Sequence, residues 1–273
     1  MYVLDNHLHL KSNGRNVEAI KDFERSGGTH AILVRYPSFA EDGDFTKSYD
    51  ETLSMAGRAR GSTGVKMFVV VGPYPAELLD LEKRFGLEKA VLFMKKGVDL
   101  AARYVKEGKT IAIGEVGRPH FPVDRRIMEA SNLILLYAMV VAKDTGCPVV
   151  LHTERATLET FKELAAMADK AGLKRDRVVK HFSPPVIDEE KNMGLFPSII
   201  ASEKNVREAI SQGDRFFMES DYIDDPRRPG AVIPPATIPK KTKKLLAEGT
   251  LSEESAFRIH KDNAEKVYGV KIE

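Results

Sequence analysis

The sequence predicts a (β/α)8 TIM barrel, and three observations lead to this fold class. Segments with strand character alternate with segments with helix character along all 273 residues. Most strand segments are apolar on both faces, as in a parallel sheet that helices cover. Eight such units fit into this length, and no stretch of linker composition divides the chain. We therefore expect a single α/β barrel domain over residues 1–273.

The predicted elements follow one another in a regular order. Strands are expected at 3–10, 30–34, 65–71, 110–116, 148–152, 178–181, 196–201 and 216–221. Helices are expected at 17–26, 50–60, 78–85, 88–107, 124–145, 158–171 and 206–212. A last helix is expected after Thr250-Leu251-Ser252-Glu253, which has the spacing of a capping box.

Composition excludes several classes of protein. The 42 Lys and Arg residues nearly balance the 40 Asp and Glu residues, so net charge indicates neither a nucleic-acid nor a membrane partner. The single Cys147 cannot form an internal disulfide, which favours a reducing compartment. The chain enters a strand at once, and its longest apolar run, 133–142, is too short to cross a bilayer. We expect a cytoplasmic protein, and a monomer is favoured.

Polar residues at the ends of predicted strands point to a metal centre. His7 and His9 alternate on one face of the first strand, so both imidazoles can reach the same ion. Further strands end in the residues Glu115, His152, His181 and Asp221. Side chains at the carboxyl ends of barrel strands converge at the mouth, where active sites lie. Six donors exceed the needs of one ion, so they favour two ions that share a carboxylate.

Several of these motifs together resemble those of the TatD-like metal-dependent hydrolases, which belong to the amidohydrolase-type barrels. The resemblance is carried by Asp5-Asn6-His7-Leu8-His9, Gly114-Glu115-Val116-Gly117, Pro148-Val149-Val150-Leu151-His152, His181-Phe182-Ser183, Glu219-Ser220-Asp221 and the closing segment Asn263-Ala264-Glu265-Lys266-Val267-Tyr268. These motifs extend over almost the whole chain. The resemblance implies a TIM barrel with a divalent-metal site.

The resemblance also implies a role for each candidate ligand. A first, more buried metal ion would be bound by His7, His9 and Asp221, and a second by His152 and His181, with Glu115 as the bridging carboxylate. Asp5 would orient the ligating imidazoles through hydrogen bonds. Nitrogen-rich ligation favours Zn, Mn, Co or Ni, whereas members of this family are commonly assayed with Mg or Mn.

The chain departs from the family pattern in its loops. After the fourth strand it has Gly117-Arg118-Pro119-His120 instead of Gly-Leu-Asp, and Tyr74 stands where the family has a histidine. Glu154 occupies the usual place of an arginine, and the loop 224–239 is unusual. Because guanidinium groups match phosphate oxygens, the sequence predicts substrate contacts by Arg118 and Arg35, with Tyr74 beside them.

The implied reaction is hydrolysis of a phosphodiester, as in TatD-type deoxyribonucleases, with DNA or a small phosphodiester as substrate. Asp221 is predicted to be both a metal ligand and the general base. Two alternatives remain open: hydrolysis of amide, lactone or other small ester bonds, and a non-catalytic metal-binding protein. We expect His30 to be structural because it begins a buried strand, and His260 because it lies on the C-terminal helix, far in sequence from any ligand motif.

Overall fold

A curled parallel sheet forms the centre of the computed structural model, which describes residues 1–39, 42–228 and 232–273. Its strands are β1 (Leu4–His9), β2 (His30–Val34), β3 (Lys66–Val71), β4 (Ala112–Gly117), β5 (Val149–His152), β6 (Val178–Lys180), β7 (Phe196–Ile200), β8 (Phe217–Glu219) and β9 (Tyr222–Ile223). They lie in the order β8-β7-β6-β5-β4-β3-β2-β1-β9, and every neighbouring pair is parallel. This sequential order confirms the predicted TIM-barrel fold class.

Helices connect most of the strands and cover the outside of the sheet. They are α1 (Val17–Ser26), α2 (Thr46–Ser62), α3 (Glu77–Phe85), α4 (Leu87–Lys106), α5 (Arg125–Thr145), α6 (Leu158–Ala171), α7 (Glu203–Ile210), α8 (Thr237–Ala247), α9 (Glu253–Phe257) and α10 (Asn263–Tyr268), with a π-helical turn (Arg258–Asp262) between the last two. In the described part of the chain, no helix combines the length and the apolar character needed to cross a membrane.

One loop lacks the helix that a complete unit would have, and part of a second loop lies outside the described residues. Between β6 and β7 the chain forms turns over 181–195 and no α-helix. Pro184 and Pro185 lie near the start of this loop and have no backbone N–H to donate, so they disfavour a helix there. The expectation of eight complete units is therefore wrong at the sixth strand. The middle of the other loop, 224–239, lies outside the described residues.

The eighth strand of the barrel is interrupted at Ser220 and Asp221, which separate β8 from β9. Asp221 has a positive φ of 47°, which disrupts the regular strand. Its N–H donates to the carbonyl of His7 (2.9 Å), and β9 pairs with β1. We call this junction of β1 with β8 and β9 the barrel seam. It brings Asp221 next to the histidines of β1.

The barrel interior is apolar below its mouth. Side chains of the strands fill it, among them Leu4, Ile32, Val70, Val150 and Phe217. The C-terminal helix α10 packs against this cluster, and the ring of Tyr268 lies 5.5 Å from that of Phe217. The C-terminal segment therefore closes the end of the barrel at which the strands begin, and the opposite end is left for polar side chains.

Candidate metal centre

The six predicted ligands meet at the mouth of the barrel, and one group of them lies at the barrel seam. The Nε2 atoms of His7 and His9 are 3.1 Å apart. Glu115 Oε2 lies 3.7 Å from the first of these atoms and 3.5 Å from the second. Asp221 Oδ1 lies 4.0 Å and 3.6 Å from the same two atoms. One nitrogen pair and two carboxylates thus face a common point.

A second group forms around the other oxygen of the Glu115 carboxylate. Glu115 Oε1 lies 2.8 Å from His152 Nδ1 and 3.6 Å from His181 Nε2. The ring of His181 also stacks on that of His7, with 3.8 Å between the centroids. The two oxygens of Glu115 therefore face different histidine pairs, which is the arrangement expected of a bridging carboxylate.

The close approach of β4 and β5 places Glu115 beside His152. Gly117, which ends β4, has a φ of 145°, and a Cβ atom there would lie 2.1 Å from the carbonyl oxygen of His152. Only glycine fits this position. The next residue, Arg118, donates its N–H to the same carbonyl (2.9 Å).

The outer nitrogens of two ligands have buried partners. His9 Nδ1 lies 3.0 Å from the carbonyl oxygen of Val34, and His181 Nδ1 lies 3.0 Å from Glu219 Oε1. The carboxylate of Glu219 accepts a hydrogen bond from the hydroxyl of Ser198 (2.5 Å). Such contacts fix the ring orientation of a metal-ligating histidine. Glu219 belongs to the motif Glu219-Ser220-Asp221 at the end of β8, but no role of its own was predicted for it from the sequence.

Asp5 has a different role from the one expected. Its carboxylate accepts hydrogen bonds from the N–H of His7 (3.2 Å) and from the N–H (3.0 Å) and hydroxyl (2.5 Å) of Ser220. These hydrogen bonds hold the backbone of the barrel seam and involve no imidazole ring. Burial raises the pKa of Asp5 to about 7, although the hydrogen bonds from Ser220 lower it.

His120 is a residue that the sequence reasoning missed. Its Nδ1 lies 2.9 Å from His152 Nε2, and the hydroxyl of Tyr74 lies 3.2 Å from the same nitrogen. Tyr74 is therefore at the mouth, as its prediction requires. The departure from the family pattern at 117–120 is the sequence feature that could have identified His120 as a residue of the site.

The two arginines predicted to contact substrate are turned into the protein. Arg118 is buried, and its Nη1 donates to Glu154 (3.1 Å) and Glu163 (2.8 Å). Arg35 is also buried and donates to the carboxylate of Glu77 (2.9 Å). Because these guanidinium groups already have carboxylate partners, the structure gives no support to their predicted phosphate contacts.

The electrostatics of the centre favour a cation. Burial opposes ionisation of Glu115, but His7 and His152 hold its pKa well below the usual value. Burial lowers the pKa of His181, but Glu219 and Asp221 raise it to about 9. Among the described residues, the ion-pair partners of Glu115 and Asp221 are all histidines.

The donor set also fits divalent metal ions. Ring nitrogens that face each other at 3.1 Å share a position that a cation can occupy. Two groups of three residues bring their donor atoms within 4.8 Å of one another: His7, Glu115 and His181, and His7, His9 and Asp221. A metal ion would neutralise the carboxylates of Glu115 and Asp221, whose ion-pair partners in the described part of the chain are histidines.

Comparison with known proteins agrees with this site. The family model described as TatD related DNase matches residues 4–269. The uncharacterized protein MJ1127 of Methanocaldococcus jannaschii is 40% identical, and the match covers 99% of this chain and 97% of that protein.

Solved structures share the fold. A TatD homologue from Escherichia coli has a TM-score of 0.70 at 18% identity, and 98% of each chain is covered. A phosphotriesterase-like lactonase mutant from Deinococcus radiodurans has a TM-score of 0.66 at 13% identity, with 98% of this chain and 95% of that chain covered. The family match over nearly the full length decides the assignment: the chain belongs to the TatD-related DNase family of hydrolases.

Proposed function

We propose that this protein hydrolyses phosphodiester bonds with two divalent metal ions at the mouth of its barrel. The observation that carries the proposal is the orientation of Glu115, whose two carboxylate oxygens face different histidine pairs. The first ion would be held by His7, His9 and Asp221, and the second by His152 and His181. Zn, Mn, Mg, Co and Ni are the candidate metals.

Asp221 is the proposed general base. When bound, the ions would lower the pKa of water and polarise the scissile group. The carboxylate of Asp221 lies among three imidazoles. Burial opposes its ionisation, but the imidazoles of His181 and His9 lower its pKa below the usual value. It is therefore ionised near neutral pH and can accept the proton of the attacking water and return it to the leaving group.

The proposed substrate is DNA or a small phosphodiester. Tyr74, whose hydroxyl lies beside His152, is the proposed substrate contact. The family match supports this choice. A second candidate is hydrolysis of a lactone or another small ester. The inward orientation of Arg35 and Arg118 favours this candidate, because neither offers a free guanidinium to a phosphate.

Metal titration tests the two-ion part of the proposal. Metal-free protein is titrated with Zn²⁺ or Mn²⁺, and bound metal is measured at equilibrium. We expect two ions per chain, with the second bound more weakly because fewer protein donors hold it. A plateau at one ion per chain would overturn the two-metal assignment.

A substrate panel tests the reaction. Metal-loaded protein is assayed on single-stranded DNA, bis-p-nitrophenyl phosphate and a set of lactones. We expect cleavage of the two phosphodiesters and little turnover of lactones. Turnover of lactones alone would replace the proposed reaction by the second candidate.

A further inference from the structure

Exposed phenylalanines concentrate at the end of the barrel that holds the metal centre. In the described part of the chain, four phenylalanine side chains are well exposed: Phe39 (47%), Phe121 (39%), Phe182 (48%) and Phe257 (46%). The first three follow β2, β4 and β6, so they lie on loops at the carboxyl ends of the strands. Exposed apolar groups that cluster at a site are typical of ligand recognition.

Two of these residues have an unfavourable backbone conformation that buried carboxylates hold in place. Phe39 and Phe182 each have a φ of 50°, which is rare for a bulky residue. The N–H of Phe39 donates to Glu77 Oε1 (3.1 Å), and that of Phe182 donates to Glu219 Oε1 (2.7 Å). Strain that the surroundings maintain is a reason to look for a function.

Ring contacts connect two of the phenylalanines to His152 and His181. The ring of Phe182 lies 5.9 Å from that of His181 in an edge-to-face arrangement. The ring of Phe121 lies 5.2 Å from that of His120, which in turn lies 5.0 Å from that of His152. Phe182 and Phe121 thus flank the side of the centre where His152 and His181 lie.

We propose that Phe121 and Phe182, which we call the aromatic pair, bind a planar ring of the substrate beside the scissile bond. This inference rests on the proposed phosphodiesterase function and names the substrate class as one that carries a nucleobase next to the cleaved phosphate. Every base has a π-face, so stacking on phenylalanine needs no hydrogen-bond readout. An aryl ester would offer the same planar chemistry, and the test separates the two sources.

The experiment compares a thymidine oligonucleotide with an abasic strand of the same length. Phe182→Ala and Phe121→Ala should each lower kcat/KM on the thymidine strand by roughly 10-fold, mainly through KM. Neither should change kcat/KM on the abasic strand. Phe257→Ala is the matched control, because it removes an equally exposed ring on α9 and should change neither rate.

A second variant separates substrate binding from a structural role. Phe182→Asn removes the ring but tolerates a positive φ, so it should keep or raise the melting temperature while it loses the preference for thymidine. Equal losses on both strands, or none, would overturn the inference. If neither oligonucleotide is cleaved, the proposed function fails, and the variants are then compared on phenyl acetate and ethyl acetate. A loss of activity confined to phenyl acetate supports a site for a planar ring. Equal effects on the two esters overturn the inference.

Discussion

The two ends of the barrel both bury histidines, but they surround them differently. At the end where the strands begin, His260 Nδ1 accepts a hydrogen bond from the N–H of Leu4 (3.2 Å), and its Nε2 lies 2.9 Å from the hydroxyl of Thr242. At the mouth, the Nε2 atoms of His7 and His9 face each other. Neutral partners satisfy the first histidine, whereas the pair at the mouth faces the carboxylates of Glu115 and Asp221. Burial alone therefore does not distinguish a structural histidine from a ligand.

The largest effect on activity is expected from replacing Asp221 at the mouth of the barrel. Asp221→Asn keeps the size of the side chain but weakens both the proposed base and a metal ligand, so kcat should fall by roughly 10²-fold or more. Steady-state kinetics at saturating metal measure the loss, and circular dichroism checks the fold. Asp99→Asn, at an exposed position of α4, is the control. Activity within a few-fold of the wild type would move the base role to another group.

At the opposite end, His260 should make stability depend on pH. Burial lowers its pKa to about 4, from an ordinary value of 6.5, so the folded state binds fewer protons than the unfolded state. Its stabilising contribution is present above pH 6.5 and is lost as the pH falls toward 4. Between pH 7 and 5 the free energy of unfolding of the wild-type protein should fall by about 2 kcal/mol more than that of the His260→Gln variant. Urea unfolding of both metal-free proteins measures the difference, and parallel pH profiles would contradict it.

A smaller effect is expected where the mouth is open to solvent. His120→Ala removes a partner of His152 Nε2, so affinity for the second ion should fall by about 10-fold, while that for the first ion stays the same. Competition with a chelator measures both affinities. Tyr74→Phe removes the other partner and keeps the ring, which makes it the matched comparison. Equal weakening of both ions would show that His120 supports the whole centre.

The smallest effect on specificity is expected from Arg118. Because its guanidinium is paired with Glu154 and Glu163, Arg118→Ala should lower the melting temperature but leave the ratio of phosphodiester to lactone rates unchanged. Arg125→Ala, which removes an exposed arginine, is the control for stability. A selective loss of phosphodiester activity would restore the phosphate role first predicted for Arg118.

The sequence predicted the strands and the convergence of six side chains, because both depend on strand period and on the polarity of strand ends. It did not predict where loop residues point. Arg118 follows Glu115 by three residues, but the chain turns at Gly117, and the arginine is directed toward α6. The same turn precedes His120, which contacts His152. Loop conformation depends on tertiary contacts that sequence periodicity does not encode.

The barrel seam has a consequence for how the molecule folds. Asp5 and Ser220 are 215 residues apart in the chain, and their hydrogen bonds join the first strand to the junction between β8 and β9. Contacts of such long sequence separation form at a high entropic cost. A ligand that binds only the closed form shifts the equilibrium toward closure. Metal loading is therefore expected to stabilise the closed seam, and amide hydrogens at the seam should exchange faster in the metal-free protein than in the loaded one.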